Sequence, residues 1–205
     1  MIKGIIFDFG GVFTYTRPRE RLLHRCEAQL GLEQGALTFL LFASEPWRAV
    51  STGKTSEEEY WQEIESALGG PIPAALAPFK YNPFAYERLN QRMVALTRQL
   101  HTRYGTALLS NATAYLDELL AEHGLTLLFD VIINSAQVGM RKPDPQILRL
   151  TVNRMGLRPG DCLLVDDKER NTRAAQVLGM QVILFRSAAA LQRRITALES
   201  ESTLR

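Results

Sequence analysis

The sequence predicts an α/β fold, a doubly wound parallel sheet with a small helical cap domain inserted after its first strand. Three observations predict it. Short apolar, β-branched runs with little alternation recur along the chain, helix-period segments ending at glycines lie between them, and residues 14–83 hold helix periods with no convincing strand.

Each element follows from its residues. Ile2 to Phe9 has the composition of a strand buried on both faces of a parallel sheet. "YGTALLS" (104–110), "DCLLVDD" (161–167) and "QVILF" (181–185) match it, with "DVIINS" (130–135) as a further strand. Leu116, Leu119 and Leu120 share a helix face before Gly124. Ile147, Leu148, Thr151 and Met155 share another before Gly156, with Asp144 as N-cap and Pro145 in the first turn. Ala174, Val177 and Leu178 run to Gly179 in the same way. In the inserted region, Leu22 to Leu30, Ala36 to Ala43 and Ser56 to Leu68 carry helix periods, and Ser56 with Glu59 forms a capping box. "GGPIPAALAP" and "YNPF" close it. The expected division is a core of residues 1–13 and 84–205 and a cap of residues 14–83, with the tail from Glu199 to Arg205 frayed.

Bulk properties exclude several classes. The 205 residues carry 24 basic and 22 acidic side chains, net +2, scattered without a basic run, so nucleic-acid binding gains no support. Cys26 and Cys162 lie far apart without metal-site spacing, as expected of reduced core thiols. No apolar run approaches the ~20 residues a bilayer span needs. The expectation is a soluble cytoplasmic protein, monomer or homodimer, that uses neither nucleic acid nor membrane.

In a parallel α/β sheet, ligands gather at the carboxyl ends of the strands. The residues found there are Asp8 with Gly10 and Gly11, then Ser110 and Asn111, then "GMRKPDP" with Lys142, then Asp166 and Asp167. Carboxylates so close repel one another unless a cation joins them, and hard oxygen donors select Mg²⁺. A site of this kind suits phosphoryl transfer. The metal and lysine offset oxyanion charge, N–H groups of the glycine turn, Gly11 among them, cradle phosphate oxygens, and Asp8 is the natural nucleophile.

The stretches "FDFGGVF", "LLSNAT", "GMRKPDPQI" and "LLVDDKERNTRAAQVLGM" together resemble the haloacid dehalogenase (HAD) superfamily, in its branch with a helical cap after the first strand. That resemblance implies a Rossmann-like core and a Mg²⁺-dependent phosphohydrolase that acts on a small phosphorylated metabolite through an aspartyl-phosphate. It implies Asp8 as nucleophile and metal ligand, the Gly10 carbonyl and Asp166 as further ligands, Asp167 beside the metal water, and Ser110, Asn111 and Lys142 on the phosphate. The sequence departs from the family at Gly10, where phosphatases usually carry a second aspartate that protonates the leaving oxygen and then activates water. A general acid–base supplies typically 10²–10⁴-fold, against a total that reaches ~10²¹-fold for phosphate monoesters, so a slow enzyme or one selective for leaving groups that need no proton is expected. The competing readings are a metal-independent 2-haloacid dehalogenase and a non-catalytic relative that binds a phosphorylated ligand or a partner.

Other motifs are set aside. "DFG" matches a kinase metal motif but lies too near the start for a nucleotide lobe. "STGKTS" (51–56) imitates a P-loop end, yet Arg48 stands where its first glycine belongs, so it is a cap-region turn. His24, His101 and His123 have no ligand spacing. Asn171 is expected to cap the helix beginning near residue 170, Trp47, Tyr60 and Trp61 to fill the cap core, and Arg17, Arg19 and Arg48 stay unassigned.

Overall fold

Ile5, Ile6 and Phe7 have no exposed surface, which requires cover on both sides of the strand that carries them. A computed structural model describes residues 1–203 and supplies that cover. The chain runs through β1 (Gly4–Phe7), β2 (Thr14–Tyr15), α1 (Arg17–Leu30), α2 (Ala36–Phe42), α3 (Glu45–Val50), α4 (Glu57–Leu68), a 3₁₀ turn at Ala74–Lys80, β3 (Arg88–Leu89) and α5 (Gln91–His101). It continues as β4 (Gly105–Ser110), α6 (Leu116–Glu122), β5 (Val131–Asn134), α7 (Ser135–Val138), α8 (Pro145–Arg154), β6 (Cys162–Asp166), α9 (Glu169–Val177), β7 (Gln181–Leu184) and α10 (Ala188–Thr203).

Five of these strands form one parallel sheet in the order β5-β4-β1-β6-β7. Period-two geometry then sorts the strand residues into two cores. Ile5, Phe7, Leu108, Leu163 and Val165 pack with Met93 and Leu100 of α5, Leu116 of α6 and Leu191 of α10. Ile6, Ala107, Leu109 and Leu164 pack on the opposite face with Ile147 and Leu148 of α8 and Ala175 of α9. Both sets must be apolar, which is why the strands show no alternation in the sequence. Each large side chain buried here contributes about 1.5–3 kcal/mol, so the centre of the sheet is the best-held part of the molecule.

The helical region has its own core, where Leu23, Leu37, Leu41, Ile64, Leu76 and Phe79 surround Tyr60 and Trp61. Two of the predicted caps form. Ser56 and Glu59 exchange both capping-box hydrogen bonds, and Asp144 accepts from the Gln146 N–H at 2.8 Å.

Two features lie outside what the pattern predicts. Thr14–Tyr15 pairs antiparallel with Arg88–Leu89, closing a neck where the helical region leaves and rejoins the sheet domain. Strands of two residues leave no periodicity to detect. Buried Asn90 secures this neck, donating to the Val12 carbonyl at 3.2 Å and accepting from the Tyr15 hydroxyl at 2.9 Å. The tail also differs: α10 stays helical through Thr203, because Glu199 accepts from Arg103 at 2.7 Å and Tyr104 at 2.6 Å, while residues 204–205 of the expected frayed tail lie outside the described residues.

A second contact joins the helical region to the sheet domain. The Ser135 hydroxyl donates to the Ser51 carbonyl at 2.5 Å and accepts from the Ala112 N–H at 3.0 Å. Beside it, Gly53 of "STGKTS" has φ +65°, and a Cβ there would sit 2.4 Å from the Ala136 carbonyl oxygen. The glycine of that motif serves close backbone approach in a turn.

Candidate active site

Asp8 follows the last residue of β1, Ser110 ends β4, and Asp166 ends β6, so the three central strands bring their carboxyl ends to one place. Lys142 arrives on the loop after α7. Its ammonium donates at 2.8 Å to Asp8 Oδ1 and at 2.7 Å to Asp166 Oδ2, and it is 1% exposed. Asp167 completes a group in which each of three carboxylates offers an oxygen within 4.8 Å of the others.

The neighbours hold this arrangement rigidly. Asp8 Oδ1 accepts from the Phe9 N–H at 2.8 Å. Asp166 accepts from the Lys168 N–H at 2.8 Å and from Asn171 Nδ2, which lies 2.9 Å from both carboxylate oxygens. Asn171 therefore orients Asp166 and does not cap α9, correcting the sequence expectation; the N-cap position is Lys168, without a side-chain cap bond. Asn111 accepts from the Lys142 N–H and donates to the Lys142 carbonyl, both at 2.8 Å. Asn111 also lines the cavity above these groups, and its amide grips the backbone that presents the lysine, because Asn111 and Lys142 lie on adjoining loops.

The two glycines after Asp8 differ in kind. Gly11 has φ +79°, and a Cβ there would come within 2.5 Å of Asp167 Oδ2. Its N–H donates to Thr14 Oγ1 at 3.2 Å. Gly11 makes room for Asp167 and turns the chain. Gly10 has no left-handed backbone, and a Cβ added to it would meet nothing within 4 Å. Neither strain nor crowding demands glycine at position 10.

Electrostatics follow from burial and charge. Burial, opposed by the Lys142 charge and reinforced by Asp166, pushes the Asp8 carboxyl up to about 6. Burial would also raise Asp166, but Lys142 and the hydrogen bonds from Lys142, Lys168 and Asn171 outweigh it and hold this carboxyl below its ordinary value. Asp167 is raised, again by burial first, with Lys168 opposing. Lys142 is lifted above its ordinary value, because Asp166 and Asp8 overcome the effect of burial. One ammonium does not balance three carboxylates, and Asp167 Oδ1 is buried without a partner among the described residues. This donor set fits a small, hard divalent cation such as Mg²⁺.

A cavity of about 240 Å³ opens above these groups. Asp8, Gly10, Ser110, Lys142 and Asp167 line its floor, and Phe42, Trp47 and Phe84 stand on its walls with Arg19, Arg141 and Arg170. Of the predicted site residues, Asp8, Gly10, Ser110, Asn111, Lys142 and Asp167 line this one cavity, and Asp166 is joined to them through Lys142. Tyr60 and Trp61 stay in the core of the helical region, whereas Trp47 serves both that core and the cavity. Arg19 stands 4.5 Å over the Phe42 ring and pairs with Glu87, a buried carboxylate the sequence did not single out. Arg141 and Arg170 are likewise new, and no spacing in the sequence signals where their side chains point.

A family model described as a haloacid dehalogenase-like hydrolase matches residues 2–179. Over 181 residues, 87% of each chain, the protein is 30% identical to a sesquiterpene phosphatase of Aspergillus oryzae. It is 26% identical to the fructose-1-phosphate phosphatase YqaB of Escherichia coli, over 88% of this chain and 94% of that one. Among solved structures it is similar to a HAD family enzyme from Bacteroides thetaiotaomicron in complex with magnesium and inorganic phosphate. That match has a TM-score of 0.71 and 18% identity over 91% of this chain and 95% of the other.

Proposed function

This chain belongs to the haloacid dehalogenase-like hydrolases, and from that premise we propose that it is a Mg²⁺-dependent phosphohydrolase acting on a small phosphorylated metabolite. One observation carries the proposal: the Lys142 ammonium bridges Asp8 and Asp166 at the floor of a cavity, with Asp167 beside them. Asp8, Asp166 and Asp167, with the Gly10 carbonyl, would hold the metal. When bound, Mg²⁺ supplies positive charge against which phosphoryl oxygens are stabilised.

The chain's own groups perform the rest. An Asp8 carboxylate oxygen attacks phosphorus, the P–O bond to the leaving oxygen breaks, and its electron pair departs with that oxygen. Water then attacks the aspartyl-phosphate, releasing phosphate and restoring Asp8. Lys142 neutralises charge on Asp8 and on the phosphoryl group, and Ser110 bounds the space the group occupies. Asn111 and Asn171 position Lys142 and Asp166. The helical region acts as a lid that excludes water and selects the substrate.

Gly10 provides no proton to the leaving oxygen, a contribution of typically 10²–10⁴-fold elsewhere. The enzyme is therefore selective for leaving groups that depart without protonation, such as anomeric, acyl or aryl phosphates. The test is a panel of phosphate esters with and without Mg²⁺, on wild type and Asp8→Asn. Wild type turns over activated esters faster than alkyl esters only with metal, and the variant falls by roughly 10⁴-fold or more. Metal-independent turnover of a 2-haloacid overturns the phosphatase assignment, and equal turnover by the variant overturns Asp8 as nucleophile.

A further inference from the structure

The cavity walls hold arginines that make no ion pair with a described residue. Lys142 is engaged by Asp8 and Asp166, and Arg19 by Glu87. Of the other acids on the walls, Glu20 is exposed and accepts from the Thr16 hydroxyl at 2.8 Å. Lys168 lies toward the floor, where its charge acts on Asp8 and Asp167, whereas Arg141 and Arg170 also line the cavity and neither makes an ion pair with a described residue. Arg141 is the most exacting case, since its Nη1 is shut off from solvent and has no hydrogen-bond partner among the described residues. Its surroundings repel it further. Burial, then the charges of Arg170 and Arg48, hold its guanidinium below the ordinary value against the smaller opposing charge of Glu45, an exposed acid that also pairs with Arg48 at 3.5 Å. A guanidinium stays charged under these conditions, and a buried donor left unmade is expensive. What relieves both is a planar or tetrahedral oxyanion, which the guanidinium fork is shaped to accept.

We propose that Arg141 and Arg170 form a second anion site in this cavity, which binds an anionic group on the leaving portion of the substrate. The inference rests on the phosphohydrolase reading, because that reading places the transferred phosphoryl group at the floor. Whatever else fills the cavity is then the leaving portion. The substrate class is a phosphorylated compound with a further phosphate or carboxylate, and a wall of positive charge also suits a leaving portion that receives no proton from position 10.

The experiment is calorimetric titration, at fixed Mg²⁺, of methylphosphonate, methylenediphosphonate and phosphonoacetate into wild type, Arg141→Gln and Arg170→Gln. The two probes with a second anionic group bind wild type more tightly than methylphosphonate by on the order of 10- to 100-fold, as one or two charge-assisted hydrogen bonds allow. Arg141→Gln shrinks that gap to a few-fold without moving the methylphosphonate affinity, and Arg170→Gln shrinks it less. A diphosphonate preference identifies the second group as a phosphate, and a phosphonoacetate preference identifies a carboxylate. A gap that survives Arg141→Gln overturns the proposal, as does equal weakening of all three probes. Thermal melting separates site from scaffold: relief of like-charge repulsion leaves the Arg141→Gln midpoint equal or higher, whereas a structural role lowers it and counts against the site. Loss of the phosphohydrolase reading appears separately, as Asp8→Asn turning over esters while the calorimetric gap stands.

Discussion

At the floor of the cavity Lys142 is engaged with Asp8 and Asp166 and Asn171 with Asp166, all within 2.9 Å, and the charged oxygen left without a partner among the described residues is that of an acid, Asp167 Oδ1. On the walls Arg19 and Glu87 pair with each other, and the buried group with no ion-pair partner among the described residues is a base, Arg141, through its Nη1. The difference teaches a division of labour. A pre-organised floor performs one reaction on whatever phosphoryl group is delivered, and an unsatisfied wall waits for chemistry that only a particular substrate brings.

Gly10 sits at the seam between the two, so changing it tests the division most sharply. The space around it admits a side chain, and Gly10→Asp installs a proton donor without disturbing the floor. Turnover of alkyl phosphates should rise by up to the 10²–10⁴-fold that general acid–base catalysis supplies, with little gain on aryl phosphates. Equal gains on both ester classes, measured as kcat ratios, break the comparison.

Lys142→Ala attacks the floor from within. It strands two buried carboxylates, and removing one partner of a buried ion pair destabilises by roughly 3–5 kcal/mol. Chemical denaturation should register that loss in metal-free protein and a partial recovery with Mg²⁺, whereas Arg141→Gln on the wall shows none. Matching losses at both positions erase the distinction.

Acidity sets the next effect. Because Asp8 titrates near 6, it takes up a proton as pH falls through that value, and a protonated carboxyl is a poor ligand. Mg²⁺ affinity should fall by about tenfold per pH unit below this point for each proton displaced, and stay flat well above it. Calorimetry at pH 5 and 7.5 checks the sign; affinity unchanged between them removes Asp8 from the ligand set.

The smallest effect separates the adjacent glycines. Gly11→Ala forces a side chain into φ +79° and against Asp167, and should destabilise by roughly 1–3 kcal/mol. Gly10→Ala, in open space with ordinary backbone, should be neutral or stabilise by about 0.4–1 kcal/mol. Thermal melts of the pair give the contrast directly.

Asp8, Ser110, Lys142, Asp166 and Asp167 were legible in the sequence because a strand end is a local property: an apolar run stops, and the next polar residue faces the ligand side of the sheet. Direction was not legible. Asn171 in the first turn of α9 looks like a cap until the fold turns its amide onto Asp166, and the grip of Asn111 on the Lys142 backbone exists only once the two loops adjoin. Gly11 stands out in the sequence as part of a glycine turn, but the Asp167 carboxylate packed against it belongs to a residue 156 positions later. Arg141 and Arg170 had no signature at all, since the walls depend on how separate segments of the chain dock across the neck.

The Ser135 hydroxyl has one further consequence. It touches the Ser51 carbonyl of the helical region on one side and the Ala112 N–H, just past Ser110 and Asn111, on the other. Swinging the helices away must pull that hydroxyl free and unsettle the backbone that follows Ser110. With the helical region acting as the proposed lid, opening for product and loosening of the loop after Ser110 would be coupled through this hydroxyl.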